Sequence, residues 1–134
     1  MASVQGMLAA FKARDRDGAA AEINAMLRSN APLGDTWAAV SRMAATIGEF
    51  NASMEAARRA AALHSGSAQH QLQYASMVAN AGRVSEALNL GEAALKLAPR
   101  AGPILHFIGT CRAQTGDAEG AAEVLERALA SDPN

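Results

Sequence analysis

The chain has 134 residues, half of them hydrophobic but only 4 % aromatic, with 12 basic against 13 acidic side chains; that is room for one compact domain or one short repeat array. A net charge of −1 speaks against a nucleic-acid binder, which needs a basic stripe. The single cysteine excludes an intrachain disulfide and a multi-cysteine zinc site, and no apolar run approaches the roughly 20 residues of a membrane span. Alanine supplies much of the apolar content and is the best helix former and a poor strand former, so the elements are expected to be helices. The first residues lack a basic leader and do not read as a secretory signal. Val4, Met7, Leu8 and Phe11 instead fall at i, i+3, i+4 and i+7, the apolar face of a first helix. A second helix follows through Gly18-Ala19-Ala20, Ile23 and Leu27. Trp37, Val40, Ala44 and Ile47 form the next stripe, which runs to Gly48. Asn51-Ala52-Ser53 fits a glycosylation sequon, but Asn and Ser are frequent where helices begin, and a helix start is the reading taken. A further stretch runs to Gly82, and Ala87, Leu88, Leu90, Ala94, Leu95 and Leu97 then populate a stripe closed by Pro99, which lacks an N–H. The next stretch runs to Gly116, where Asp117 is placed to cap the last helix, which ends near Pro133.

These elements repeat. Shifted by 34 residues, Gly48, Gly82 and Gly116 fall in register without gaps, as do Ala60, Ala94 and Ala128, and Ala45, Ala79 and Ala113. Pro99 matches Pro133, Ala87 matches Ala121, and Leu95 matches Leu129. Each glycine stands where one helix must stop and the chain turn tightly, a place for a left-handed residue. Helix–turn–helix units therefore tile 34–67, 68–101 and 102–134. Residues 1–33 form a degenerate fourth unit: Gly18-Ala19-Ala20, Ile23 and Leu27 match Gly120-Ala121-Ala122, Leu125 and Leu129 three periods later. Arg14 occupies its turn-glycine position, which leaves the geometry of that turn open.

This pattern resembles the tetratricopeptide repeat family. The second unit supplies Trp37, Val40, Gly48, Phe50 and Ala60 to the family motif, with Ser53 and Ser65 where the family has Ala and Pro. The third supplies Tyr74, Ala75, Val78, Gly82, Ala87, Ala94 and Pro99; the fourth supplies Leu105, Ile108, Gly109, Gly116, Ala121, Leu125, Ala128 and Pro133. The resemblance covers 34–134 well and 1–33 loosely. It implies an all-α fold, a right-handed αα superhelix of four units and eight helices forming one domain over 1–134. Small residues at Ala75, Gly109, Ala87, Ala121, Ala94 and Ala128 are then expected where paired helices cross closely, and Trp37 and Phe50 are expected as core anchors.

Signatures of catalysis are missing. There is no Gly-rich phosphate loop with its lysine, no H-E-x-x-H and no Cys/His pair at zinc spacing. His70 and His106 start neighbouring first helices, but two ligands without a carboxylate make no convincing metal site. Cys111 shares its repeat position with Met43 and Met77, so it reads as a buried apolar filler. Neither a catalytic residue, a metal nor a cofactor is expected.

In the resembled family the first helices of successive units line a concave face that holds an extended or helical peptide. Carried over by register, the candidate groove residues are Arg42, Gln69, Leu72, Gln73, Ser76, Asn80, His106, Phe107, Thr110 and Gln114. Amides and hydroxyls both donate and accept, which suits a peptide backbone, while Leu72 and Phe107 suit an apolar side chain. The family's clamp for a terminal carboxylate is absent, since Ala38, Arg42, Gln73, His106 and Thr110 stand at its positions. The expected function is a non-enzymatic, cytoplasmic protein–protein interaction scaffold for a protein or peptide, without nucleic acid. The alternative is the N-terminal recruiting segment of a larger bacterial enzyme, such as a sulfotransferase or glycosyltransferase. Val124, Leu125 and Leu129 of the last helix are left with nothing to cover them, which suggests self-association through that helix.

Overall fold

The structure, a computed structural model, describes residues 3–131. Among these residues it contains eight α-helices and no strand: α1 (Val4–Lys12), α2 (Arg16–Arg28), α3 (Thr36–Thr46), α4 (Phe50–Leu63), α5 (Ala68–Asn80), α6 (Val84–Leu97), α7 (Gly102–Gln114) and α8 (Ala118–Ser131). Consecutive helices pack as the pairs α1–α2, α3–α4, α5–α6 and α7–α8, one pair in each of the four tiles. The pairs fall into two compact units, Met1–Leu63 and His64–Asn134. Pro99 stands two residues beyond the last residue of α6, after the capping Ala98, where its missing N–H costs the helix nothing; Pro133 lies outside the described residues.

All four intra-pair turns are built alike. Gly48, Gly82 and Gly116 have φ of 82°, 89° and 90°. The N–H of the following residue reaches back five positions: Glu49 to the Ala44 carbonyl, Arg83 to Val78 and Asp117 to Arg112, at 2.8–3.2 Å. This is the bond that closes a Schellman turn and satisfies an orphan carbonyl at the helix end. The degenerate unit makes the same turn: Asp15 N–H bonds the Ala10 carbonyl at 2.8 Å, and Arg14 takes a φ of 57°. The question left open by the missing glycine is thereby answered, and the cost is backbone strain in a residue with a Cβ. On the far side of their turns, Asp15 and Asp117 accept from the N–H of Gly18 and Gly120 at 2.9 Å, capping α2 and α8.

Inside each pair the helices cross on small side chains. Ala75 and Ala87 are fully buried, and Gly109 faces α8 so closely that a Cβ there would lie 2.8 Å from Leu125 Cγ. At the equivalent crossing of α3 with α4 both positions are serine. Ser41 Oγ donates to the Ser53 carbonyl and Ser53 Oγ to the Ser41 carbonyl, each at 2.7 Å, so two buried hydroxyls satisfy each other's backbones. That reciprocity explains how Ser53 replaces the usual alanine.

In the first unit Met7, Ile23, Met26, Trp37, Val40 and Ala44 form the core with Ala52, Ala56 and Ala60, and Ile47 packs against it. Arg59 spans one edge. Its guanidinium lies 4.7 Å from the Trp37 ring and donates to the Leu27 carbonyl at the end of α2 at 2.7 Å. Hydrogen bonding from Arg58, with further help from Arg58 charge and from Arg59, holds the Glu55 carboxyl below its usual range despite partial burial. Phe50 does not join this core: it is 69 % exposed as the first residue of α4, where it lies outside the cluster around Trp37. Of the two expected core anchors, Trp37 is in the core and Phe50 is not.

In the second unit Ala94, Ile104, Leu105, Ile108 and Val124 are the core, with Leu72, Leu88, Leu95 and Ala128 packed on it. Leu97, placed in the apolar stripe of α6 by periodicity, is instead exposed in that helix's final turn. Val124 is 2 % exposed and so does not belong to a bare outer face; Leu125 and Leu129 do, at 36 % and 67 %. The helix period accounts for the difference, since Val124 shares an inward face with Ala121 and Ala128 at three and four residues' spacing.

Candidate functional site

The second unit carries a groove of about 370 Å³ between α5 and α7. Its lining brings together seven of the ten groove candidates: Leu72, Ser76 and Asn80 from α5, and His106, Phe107, Thr110 and Gln114 from α7. Ala79, Pro103 and Cys111 complete it. On each helix the candidates recur every four residues, as Leu72, Ser76, Asn80 and as His106, Thr110, Gln114. This spacing aligns them along one face, and α7 repeats the α5 pattern one period later. Arg42 is an exposed residue of α3 in the first unit, and Gln69 and Gln73 lie on α5 outside the groove lining.

The groove is graded in polarity. Leu72, Phe107 and Pro103 make one end apolar, and the Asn80 and Gln114 carboxamides make the other end a set of donors and acceptors. Among the described residues neither carboxamide bonds another protein group, so both are available to a ligand. Thr110 Oγ1 donates to the His106 carbonyl at 3.0 Å, which leaves its lone pairs as acceptors. No lining residue is Asp, Glu, Lys or Arg.

One contribution had no place in the sequence argument. Gly91 in α6 is buried under Phe107: a Cβ there would stand 3.0 Å from Cδ2 and Cε2 of the ring. The glycine therefore lets the ring lie down on the α6 backbone. An isolated glycine within a helical stripe is the available signal for such a close approach. Cys111 is 1 % exposed and backs the groove, and burial pushes its thiol above the ordinary value, so it is held as an uncharged filler.

His70 and His106, which start neighbouring first helices, have different surroundings. His70 stacks on His64, with centroids 4.4 Å apart, and its Nδ1 lies 2.7 Å from Ser67 Oγ, the N-cap of α5. His106 stands on the groove rim. Among the described residues no group of three His, Cys, Asp or Glu side chains is placed to hold a metal ion, and no helix is long and apolar enough to cross a membrane.

Residues 79–134 match the family model for the tetratricopeptide repeat. No curated protein matches the chain. Among solved structures it is similar to MamA, at a TM-score of 0.74 and 18 % identity over 92 % of this chain and 72 % of that one. It is similar to YrrB, a TPR protein with an unusual peptide-binding site, at a TM-score of 0.76 and 20 % identity over 96 % of this chain and 66 % of that one. A further MamA structure gives a TM-score of 0.75 and 19 % identity over 96 % and 70 %. At such identities the likeness is one of fold.

Proposed function

We propose, for a chain that is a tetratricopeptide-repeat protein by fold and matches that family over residues 79–134, that it acts as a non-enzymatic scaffold holding a peptide or partner surface in the α5–α7 groove. The fold is one typical of protein–protein interaction scaffolds. The observation that carries the reading is the convergence of Leu72, Ser76, Asn80, His106, Phe107, Thr110 and Gln114 on one open groove. Side chains of this kind recognise backbone and an apolar anchor. Location in the cytoplasm is part of the proposal and rests on the sequence alone.

The test begins with pull-down and mass spectrometry using the full chain. Asn80→Ala combined with Phe107→Ala then weakens the recovered complex by about tenfold or more, the scale of losing a buried aromatic anchor. Unchanged affinity would place binding elsewhere.

A second reading has one observation in its favour. Gly102, Pro103, His106, Leu125, Ala128 and Leu129 outline an apolar hollow of about 500 Å³ on α7 and α8, which a further helix would fill. That suits a recruiting segment joined to a larger bacterial enzyme. The reading frame beyond residue 134 decides it, by encoding an enzyme domain or not.

A further inference from the structure

We infer that the α5–α7 groove selects an uncharged stretch of polypeptide with a single large apolar side chain, an assignment that rests on the groove reading above. The charge distribution of the second unit carries it. Helix α5 contains no Asp, Glu, Lys or Arg, and α7 contains only Arg112. That guanidinium is committed elsewhere, 3.4 Å from Glu92 of α6 and 3.2 Å from the Gly120 carbonyl of α8. Among the described residues, the other Asp, Glu, Lys and Arg of this unit lie on α6, on α8 or in the connections. Beside the His106 imidazole, a charged ligand side chain entering the groove would meet no lysine, arginine or carboxylate to repay its lost hydration, which is unfavourable. The geometry also sets the order of groups along the ligand. Leu72 and Asn80 are eight residues apart on one helix, about 12 Å of rise. An apolar anchor against Leu72 and Phe107 is thus followed, after three or four residues of extended chain, by backbone amides paired with Asn80 and Gln114.

The experiment selects from a phage-displayed random heptapeptide library on the full-length chain, then measures the enriched peptides as synthetic compounds. Enriched sequences carry one Leu, Met, Ile or Phe and are depleted of Asp, Glu, Lys and Arg within four positions of it. Their affinity changes less than about twofold between roughly 50 and 500 mM salt, because no charge pair is there to be screened. It falls about tenfold or more in Phe107→Ala. Asn80→Ala, at an exposed position that leaves the core intact, gives a smaller loss and serves as the control for folding. Enriched peptides that are acidic or basic and salt-sensitive, yet still weakened by both substitutions, would leave the groove as the site and overturn its uncharged occupant. Peptides indifferent to both substitutions would overturn the groove itself, and a library without any enrichment would overturn both.

Discussion

Arg14 shows what a repeat enforces on a single residue. Its left-handed φ of 57° is imposed by the same back-bonded turn that three glycines make at 34-residue intervals. For a residue with a Cβ this conformation costs about 1–2 kcal/mol, partly offset because glycine has more backbone entropy to lose on folding. Arg14→Gly is therefore expected to stabilise the chain by about 0.5–1 kcal/mol, and Gly82→Ala to destabilise it by about 1 kcal/mol or more. Gly82 isolates the backbone effect, since an added Cβ would have no atom within 4 Å to strike. Urea midpoints at constant slope measure both changes. A drop in stability for Arg14→Gly would show that the arginine side chain contributes something the turn geometry does not explain.

At the scale of helices, the sequence carried the elements more faithfully than the individual side chains. Turn glycines at a fixed period and apolar stripes located every helix, because both signals report on backbone chemistry local to the residue. What surrounds a given position is not local. Phe50 stands where the resembled family places a core aromatic, yet it is exposed, and Leu97 continues a stripe beyond the point where anything covers it. Ser53 departs from the family's alanine, and the partner that accommodates it, Ser41, stands twelve residues away. The groove residues of α5 and α7 were legible from register, whereas the seating of Phe107 on Gly91 depends on which helix lies beneath it. The close crossings yield a second prediction. Ala87 is fully buried and Ala121 is 5 % exposed, so leucine at either position overpacks its pair by about 1–3 kcal/mol. Ala122→Leu, one residue along on an exposed face of α8, is the matched control. Thermal unfolding should drop by several degrees for the first two and hold for the third. Equal melting of all three would mean the helix pairs do not cross on these alanines.

For the molecule as a whole, the last helix pair of the second unit presents an apolar surface. Leu129 projects with 67 % of its surface exposed beside the hollow of about 500 Å³ that it helps to line. The α7–α8 pair therefore offers both a protruding side chain and a receiving cavity, the self-complementary arrangement that a two-fold pairing of identical copies requires. A net charge of −1 offers little electrostatic repulsion against such an approach. The expected outcome is weak, concentration-dependent dimerisation in sedimentation velocity, because a patch confined to one helix pair is smaller than a permanent interface. Leu129→Glu should hold the chain monomeric at every concentration without altering its helical circular dichroism. Leu125 is a poorer probe, since it packs against Gly109 inside the pair and its replacement would disturb the fold as well as the surface. A wild-type chain that sediments as a monomer at the highest attainable concentration would remove self-association and leave the hollow to a different occupant. A dimer that survives Leu129→Glu would place the contact on another face.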